Sequence, residues 1–304
     1  MGQKILFTGG SGLLALNWAM AIRDRHTVIL GLHEREIALA GVRGIKIDLE
    51  SVDGLIAALE KIRPQIVVNT ASLTSVETCE AVPDLAQHVN VDLAANVAQA
   101  CATLGIQLVH ISTDHLFVGK ESWVSEAYPI KPVNVYGLTK AEAEQRVLNV
   151  YPEALVIRTN FYGWGTGYRH SFSDVIIASL RANKELILFQ DVFYTPILIE
   201  VLVRAVHDLL ELKAHGVFNV AADERISKYE FGLKVAQEFK LDSAFIKPGK
   251  IIDQVALVRR PHDMSISNQK ICHLLGRKLG SVGEQISRLH QQEKSGLAQE
   301  LQKL

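Results

Sequence analysis

Cysteine is scarce in this chain of 304 residues, and the three that occur, Cys79, Cys101 and Cys272, are widely separated. An odd, sparse set without a Cys-x-x-Cys motif is typical of reduced thiols in a cytoplasmic protein. It argues against a disulfide framework and against a zinc site. The 11 histidines show no His-Glu-x-x-His motif and no other paired spacing, so we expect no metal.

The sequence also lacks a long uninterrupted apolar run. Residues 5–7 are the only such run near the beginning, and they are too short for the core of a signal peptide. The stretch richest in apolar residues, 194–210, is interrupted by Glu200, Arg204 and Asp208. It therefore cannot supply the roughly 20 apolar residues that span a bilayer. We expect a cytoplasmic protein without a membrane partner.

Neither sign of charge dominates, because 32 Lys and Arg stand against 33 Asp and Glu, for a net charge of −1. Binding of nucleic acid needs a basic excess on some surface, and here the basic residues are scattered among acidic ones. Nucleic acid is therefore not an expected partner. Hydrophobic residues make up 48% and charged residues 21% of the chain, which excludes global disorder.

Short apolar runs alternate with amphipathic segments along the first 160 residues. The runs are continuously rich in Val, Ile and Leu, which is typical of strands buried on both faces of a parallel sheet. Together they predict an α/β protein with a doubly wound parallel sheet of the Rossmann type. The predicted strands cover residues 4–8, 27–32, 45–47, 65–70, 107–112 and 154–158. The predicted helices cover residues 13–25, 52–62, 83–104 and 136–150.

Beyond residue 160 the pattern becomes less regular, and Gly163, Gly165 and Gly167 mark a loop. We predict a dinucleotide-binding domain over residues 1–160, to which later segments return. Residues 161–304 are expected to form mainly a smaller substrate-binding lobe. In this part, helices are predicted at residues 174–182, 198–212, 228–239, 268–275 and 282–291, and short strands at 186–189 and 217–220.

A glycine-rich turn follows the first predicted strand and reads Gly9-Gly10-Ser11-Gly12-Leu13-Leu14-Ala15. Such a turn lets backbone N–H groups approach a pyrophosphate at the positive end of a helix dipole. Between a strand and a helix, it predicts dinucleotide binding through Gly9, Gly12, Leu13 and Leu14. The alternative is a tight structural turn.

The end of the second predicted strand bears on the choice of cofactor. Rossmann proteins commonly carry an acidic residue there that binds the ribose diol, but this sequence reads His33-Glu34-Arg35. The cationic pair His33 and Arg35 favours a 2′-phosphate and therefore NADP(H). Glu34 leaves NAD(H) open, and a solvated charged turn is the alternative without a ligand.

Tyr136 and Lys140 are four residues apart at the start of a predicted helix and therefore share one of its faces. The phenol of Tyr has a pKa of about 10, which a nearby ammonium lowers. We expect Lys140 to lower the pKa of Tyr136, so that Tyr136 can transfer a proton near neutral pH. Upstream, Ser112 and Thr113 end a strand at the edge where open α/β sheets bind ligands. Only one of these two hydroxyls is expected to face the site.

The ordered motifs of this chain resemble those of the extended short-chain dehydrogenase/reductase family. The most similar sub-family is that of dTDP-4-dehydrorhamnose reductase and its sugar-nucleotide relatives. In the first half, the motifs are the glycine loop, Asn69-Thr-Ala-Ser72, Asn90-Val-Asp92, Ser112-Thr-Asp114 and Tyr136-Gly-Leu-Thr-Lys140. The resemblance extends over nearly the whole chain through residues 158–164, 194–196, 216–219, 227–231 and 260–265.

The resemblance implies hydride transfer from a nicotinamide to the 4-keto group of a nucleotide-linked deoxysugar. Thr113 would polarise the keto oxygen, Tyr136 would donate the proton, and Lys140 would hold the nicotinamide ribose. The further cofactor-binding residues that it implies are Asp48, Leu49, Thr70, Ala71, Ser72 and Asn90. The residues that it implies for the sugar nucleotide are Thr74, Val76, Asp114, His115, Phe161, Trp164 and Arg260.

Several of these residues have a structural alternative. Val76 and Phe161 can be core residues, Trp164 can anchor a loop, and Arg260 can belong to an ion pair. His115 stands where the reductases usually carry Tyr, which leaves the identity of the sugar open. It can equally be a buried, hydrogen-bonded histidine.

Two other functions fit the same motifs. One is that of a nucleotide-sugar epimerase or epimerase/reductase. A 4,6-dehydratase is disfavoured, because no Glu follows Thr113 and Asp114. The second of the two functions is a non-catalytic one, since the regulatory subunit of methionine adenosyltransferase resembles this sub-family as well. The sequence leaves a homodimer open.

Overall fold

A computed structural model describes residues 2–254 and 256–304. Seven of its strands form a central sheet, and each strand of this sheet is parallel to its neighbours. In chain order the strands are β1 (Lys4–Thr8), β2 (Thr27–Leu32), β3 (Val42–Lys46), β4 (Ile66–Asn69), β5 (Gln107–Ile111), β6 (Leu155–Arg158), β7 (Phe161–Tyr162), β8 (Leu186–Phe189), β9 (Phe193–Tyr194), β10 (Ile197–Leu198), β11 (Gly216–Asn219), β12 (Ile226–Ser227) and β13 (Ile246–Gly249).

The central sheet has the order β11-β6-β5-β4-β1-β2-β3. The chain moves outward from β1 in one direction and then resumes at β4 on the other side of β1. This reversal is the switch point at which doubly wound sheets bind ligands. Ile5, Leu6 and Phe7 of β1 are fully buried, because both faces of the sheet are covered. The predicted α/β fold with a doubly wound parallel sheet is therefore confirmed.

Helices cover the sheet and build most of the second half of the chain. They are α1 (Leu13–Ile22), α2 (Val52–Ile62), α3 (Val76–Ala81), α4 (Pro83–Gln87), α5 (Leu93–Leu104), α6 (Val135–Val150), α7 (Phe172–Arg181), α8 (Ile199–Glu211), α9 (Lys228–Phe239), α10 (Gln269–Leu275), α11 (Val282–Lys294) and α12 (Leu297–Gln302). A π-helical turn, His88–Asp92, joins α4 to α5, and 3-10 turns lie at Ser243–Phe245 and Ile251–Asp253.

The structure differs from the predicted elements in several places, among them the unpredicted short strands β7, β9, β10, β12 and β13. The predicted helix over residues 83–104 consists of α4, the π-helical turn and α5. The predicted third strand begins earlier, at Val42, because β3 is an edge strand whose half-exposed residues give a weak apolar signal. The helices α3 and α12 have only six residues each and are too short to show a periodic pattern.

The second half of the chain is joined closely to the first. β11 adds to the edge of the central sheet beside β6, and three two-stranded pairs, β7 with β10, β8 with β13 and β9 with β12, lie outside that sheet. Trp18 of α1 and Leu289 of α11 belong to the same hydrophobic cluster. The division of the chain at residue 160 stays a prediction.

None of the helices in the described residues combines the length and the apolar character that crossing a bilayer requires.

Candidate active site

A cleft of about 450 Å³ opens at the C-terminal edge of the central sheet. Its lining comes from the segments that follow β1, β4, β5 and β6, and from the start of α6. Arg169, His170 and Phe172 line it from the second half of the chain. The predicted site residues that line this cleft are Gly12, Leu13, Leu14, Thr70, Ser72, Thr74, Val76, Thr113, Asp114, His115, Tyr136, Lys140 and Phe161.

The glycine loop brings backbone N–H groups to one end of the cleft. Gly9 has a positive φ of 64°, and a Cβ atom there would lie 2.7 Å from the Cα of Ala71. Ala71 therefore packs against the loop and does not line the cleft. Gly12 precedes α1 without a side-chain capping bond, so N–H groups in the first turn at Leu13 and Leu14 are left for a ligand. This arrangement suits a diphosphate.

Three groups capable of proton transfer or hydrogen bonding meet at the other end of the cleft. Asn134 caps α6 by accepting a hydrogen bond from the Gly137 N–H at 2.9 Å, which orients the turn that carries Tyr136. One helical turn later, the Lys140 ammonium donates to the Ile111 carbonyl at the end of β5, at 2.7 Å. Thr113 follows the same strand. The structure thus brings Thr113, Tyr136 and Lys140 to one cleft.

Both hydroxyl candidates after β5 line the cleft. The Thr113 hydroxyl accepts a hydrogen bond from the His115 N–H at 3.2 Å and donates to Asp114 Oδ1 at 3.3 Å. The Ser112 hydroxyl is buried, and within residues 2–254 and 256–304 it has no hydrogen-bond partner. The geometry therefore does not select one hydroxyl over the other, although Thr113 is the one held by its neighbours.

The protonation of Tyr136 differs from the expectation. Burial raises the pKa of Tyr136 to about 12, with the charge of Asp114 adding to the shift and a hydrogen bond to Thr113 opposing it. Burial also lowers the pKa of Lys140 to about 8. The prediction that Lys140 lowers the pKa of Tyr136 is therefore wrong for this structure, because desolvation of the phenolate dominates. Tyr136 is a protonated donor at neutral pH.

Asp114 and His115 form a polar wall beside Tyr136. Asp114 is buried and its Oδ2 accepts a hydrogen bond from the Asn160 amide at 2.7 Å. Burial raises the pKa of Asp114 and lowers the pKa of His115. The His115 ring meets the Tyr136 ring edge-on, with 5.5 Å between centroids. His115 therefore contacts Tyr136 directly, and its Nδ1 has no hydrogen-bond partner among the residues that the structure describes.

Asn90 lies behind the cleft wall and does not line it. It is only 1% exposed, and its Oδ1 accepts hydrogen bonds from the Ser72 hydroxyl and the Leu73 N–H, both at 2.8 Å. Its amide donates to the Thr139 hydroxyl at 3.0 Å. Asn90 belongs to the π-helical turn, and such turns are frequent at functional sites. The prediction that Asn90 contacts the cofactor directly is therefore corrected, and Asn90 instead positions Ser72.

Four predicted cofactor residues lie at the same sheet edge but outside the cleft lining. His33 and Arg35 follow β2 and are exposed, and Asp48 follows β3 and is exposed as well. Leu49 is half-buried, and its carbonyl accepts a hydrogen bond from Asn96 at 2.9 Å. β2 is adjacent to the glycine loop, since the Gly10 N–H donates to the Gly31 carbonyl at 2.9 Å. Cofactor contact by these four residues stays a prediction.

Two predicted substrate residues lie outside the cleft lining. Trp164 is 2% exposed; its indole N–H donates to the Leu289 carbonyl at 3.1 Å, and its ring packs against Phe239. Arg260 forms an ion pair with Glu77 of α3. The structure corrects Trp164 to a loop anchor, because its side chain is fully engaged by protein groups. Substrate contact by Arg260 stays a prediction, since its ion pair with Glu77 is partly exposed and its charge acts on His115 of the cleft.

Sequence reasoning missed a half-buried lysine next to the cleft. The Lys228 ammonium lies 3.7 Å from the ring centroid of Tyr194 and 4.8 Å from that of Phe172. Burial lowers the pKa of Lys228 to about 8, and the charge of Asp114 opposes this shift. Asn160, Arg169 and Phe172 were missed as well. Apart from Asn160, which stands in the recognised 158–164 segment, no local signal marks them, since their proximity depends on long-range packing.

No three His, Cys, Asp or Glu side chains of the described residues come together in a way that could hold a metal ion.

The chain matches a family and several proteins over most of its length. A family model described as RmlD substrate binding domain matches residues 3–295. The probable low-salt glycan biosynthesis reductase Agl14 of Haloferax volcanii is 26% identical over 84% of this chain and 86% of that protein. Methionine adenosyltransferase 2 subunit beta of Mus musculus is 27% identical over 88% of this chain and 81% of that protein.

Solved structures show the same architecture. A hypothetical dTDP-4-dehydrorhamnose reductase from Sulfolobus tokodaii has a TM-score of 0.80 and 29% identity, covering 91% of this chain and 97% of that one. The dTDP-4-dehydrorhamnose reductase from Bacillus anthracis in complex with NADP has a TM-score of 0.84 and 22% identity, covering 96% and 100%. At 22% identity, the likeness to the Bacillus anthracis structure shows a shared fold and no more.

Proposed function

Because this chain belongs to the RmlD substrate binding domain family, we propose that it is an NAD(P)H-dependent reductase of the 4-keto group of a nucleotide-linked deoxysugar. The observation that carries the proposal is the meeting of Thr113, Tyr136 and Lys140 in one cleft whose other end is the glycine loop. The first substrate to test is dTDP-4-dehydrorhamnose, which the names of solved relatives suggest.

The cleft residues fit a nicotinamide dinucleotide. The uncapped first turn of α1 offers N–H groups to the diphosphate, and the Lys140 ammonium is available to the nicotinamide ribose once it leaves the Ile111 carbonyl. The bound cofactor supplies the hydride. Among the residues beside the glycine loop, His33 and Arg35 favour NADP(H) over NAD(H), because both can bind a 2′-phosphate.

Tyr136 and its neighbours handle the proton. Tyr136, whose pKa is raised to about 12, holds its proton at neutral pH and donates it to the oxygen that becomes the new hydroxyl. Thr113 donates a hydrogen bond to the same oxygen. Asp114 is anchored by Asn160. In the absence of substrate it accepts a hydrogen bond from the Thr113 hydroxyl and keeps that hydroxyl at the cleft. Phe161 and Val76 provide apolar contacts for the sugar.

The decisive test is Tyr136→Phe, measured as NADPH oxidation with dTDP-4-dehydrorhamnose and a panel of other 4-keto nucleotide sugars. We expect turnover to fall by about 10² to 10⁴-fold while NADPH still binds. Tyr128→Phe is the matched control, since Tyr128 is exposed and lies outside the cleft lining. Unchanged turnover in Tyr136→Phe would refute the reductase proposal. Product formation without net NADPH consumption would instead indicate an epimerase.

A regulatory subunit is the second candidate, because the mouse relative named methionine adenosyltransferase 2 subunit beta is 27% identical over most of the chain. The complete set of Thr113, Tyr136 and Lys140 counts against it. This candidate predicts a stoichiometric complex with a methionine adenosyltransferase catalytic subunit in size-exclusion chromatography, together with no activity on the nucleotide-sugar panel. The same chromatography tests for a homodimer.

A further inference from the structure

The segment of residues 163–171, here called the Tyr168 loop, leaves β7 and reaches back to the glycine loop. Its base is fixed: the Ser171 and Ser173 hydroxyls donate to the Gly163 carbonyl at 2.6 and 2.9 Å, and the Asn17 amide of α1 donates to the Trp164 carbonyl at 2.7 Å. Buried Trp164 anchors the same base. Contacts with buried residues of the core therefore fix the position of the loop.

The tip of the Tyr168 loop touches the glycine loop. The Tyr168 hydroxyl donates to the Ser11 carbonyl at 2.8 Å. Within the tip, the Thr166 N–H donates to the Arg169 carbonyl at 2.8 Å, and the Thr166 hydroxyl accepts from the Arg169 N–H at 3.1 Å. These bonds close a tight turn that presents the Tyr168 ring. Residues beyond 160 thus contact the segment proposed to hold the cofactor diphosphate.

Arg35 lies on the other face of this contact. Its guanidinium carbon is 3.9 Å from the centroid of the Tyr168 ring. In the described part of the chain no carboxylate lies within ion-pair distance of Arg35, although Glu34 and Glu36 are its neighbours in sequence. A guanidinium stacked on a ring keeps its N–H edge free for a bidentate phosphate contact. Arg35 follows β2, where doubly wound folds accommodate a 2′-phosphate.

We propose that Tyr168 is a positioning residue that holds Arg35 ready for the 2′-phosphate of NADPH, so that the part of the chain beyond residue 160 contributes to cofactor selectivity. This inference rests on the proposed function, because it requires a nicotinamide dinucleotide on the glycine loop. Arg35 binds the phosphate directly. Tyr168 acts through Arg35. Stacking on the Tyr168 ring restricts the Arg35 side chain before the cofactor binds, so less conformational entropy is lost on binding.

The ring and the hydroxyl of Tyr168 have separable roles. The ring orients Arg35 and therefore affects NADPH alone, whereas the hydroxyl bond to Ser11 supports the glycine loop and affects both cofactors alike. Tyr168→Leu removes ring and hydroxyl, and Tyr168→Phe removes the hydroxyl only. Comparing the two variants assigns selectivity to the stacking contact.

The test is a fluorescence titration of the intact protein with NADPH and with NADH in the absence of any sugar nucleotide, so the readout is a Kd and not turnover. We expect Arg35→Gln to raise the ratio of the NADPH Kd to the NADH Kd by roughly tenfold and Tyr168→Leu to raise it by roughly fivefold. Loss of the Tyr168 hydroxyl in Tyr168→Leu weakens both cofactors equally and leaves this ratio unchanged. Tyr168→Phe should keep the selectivity of the unchanged protein. Arg43→Gln, an exposed arginine on β3, is the matched control for loss of a positive charge.

A double variant, Arg35→Gln with Tyr168→Leu, checks that both residues act through one contact. We expect its ratio of the NADPH Kd to the NADH Kd to be no larger than that of Arg35→Gln alone. Independent, additive losses would overturn the proposal, and so would an equal weakening of NADPH and NADH in Tyr168→Leu. Circular dichroism of each variant verifies folding. If the unchanged protein bound neither cofactor, the proposed function would fail as well, whereas selective binding that is indifferent to Tyr168 overturns this inference alone.

Discussion

The Glu144 carboxylate on α6 receives three hydrogen bonds from the guanidinium of Arg158 at the end of β6. Arg158 Nε lies 3.0 and 3.2 Å from the two carboxylate oxygens, and Nη2 lies 2.7 Å from Oε2. Both side chains are 3% exposed. Because α6 also carries Tyr136 and Lys140, this buried pair fastens the helix of the candidate site to the central sheet.

Removing one member of this pair should be costly. Glu144→Leu leaves the Arg158 charge buried without its partner, so we expect the free energy of unfolding to fall by about 3–5 kcal/mol, measured by urea denaturation. Glu142→Leu is the control, because Glu142 lies on the same helix near Arg146 and is partly exposed; its loss should stay below about 1 kcal/mol. Similar losses in the two variants would contradict the structural role of the buried pair.

The pKa of Lys140 predicts an alkaline limb in the activity profile. Burial lowers this pKa to about 8, so the ammonium is present below pH 8 and is lost as the pH rises through that value. If Lys140 binds the nicotinamide ribose as a cation, kcat/KM should decline above about pH 8. Lys140→Arg keeps the charge at higher pH and should shift the limb upward, with lower activity throughout. Lys131→Arg, at an exposed site, should leave the limb unchanged. An alkaline limb that is the same in Lys140→Arg would exclude this assignment.

His207 should make the protein less stable in mild acid. Burial lowers the pKa of His207 from 6.5 to about 4, and the neutral Nε2 accepts a hydrogen bond from the Trp18 indole at 3.1 Å. Between pH 6.5 and 4 this histidine is protonated in the unfolded chain but stays neutral in the folded protein. The free energy of unfolding therefore decreases as the pH falls. At pH 5 this single histidine should account for about 2 kcal/mol.

The variant His207→Gln isolates this effect, because its amide oxygen can still accept from Trp18. Urea unfolding at pH 7 and pH 5 should show a smaller loss of stability in the variant than in the unchanged protein. His110, whose pKa burial also lowers, contributes equally in both proteins. An identical pH dependence would mean that His207 is not responsible.

Lys228 should act on the reaction through Asp114. Burial raises the pKa of Asp114, and the charge of Lys228 opposes this shift, so Lys228→Met should raise the pKa of Asp114 further. The acid limb of the pH profile of kcat should therefore move to higher pH, because protonated Asp114 no longer anchors Thr113. Lys234→Met is the control on the same helix, because Lys234 pairs with Glu224 at the surface. A uniform loss of activity without a shifted limb would reduce Lys228 to a structural residue.

Much of the fold follows from local patterns. Continuous apolar runs in strands such as β1 predict burial on both faces, and the glycine loop reports a backbone conformation that Gly9 alone adopts easily at a φ of 64°. The predicted limits of α2 and α9 agree with the structure at both ends, because capping and periodicity are properties of neighbouring residues. The missed helices α3 and α12 are short and depend on tertiary contacts.

By itself, the sequence determined the doubly wound sheet and the candidates Thr113, Tyr136 and Lys140, since a strand end and an i, i+4 pair are local relationships. Only the tertiary structure decided that Trp164 anchors a loop, that Asn90 acts from behind the cleft, and that Lys228 and Tyr168 approach the site. It also decided that the pKa of Tyr136 rises. The reason is that burial and desolvation are imposed by whatever packs against a group, and those groups come from distant parts of the chain.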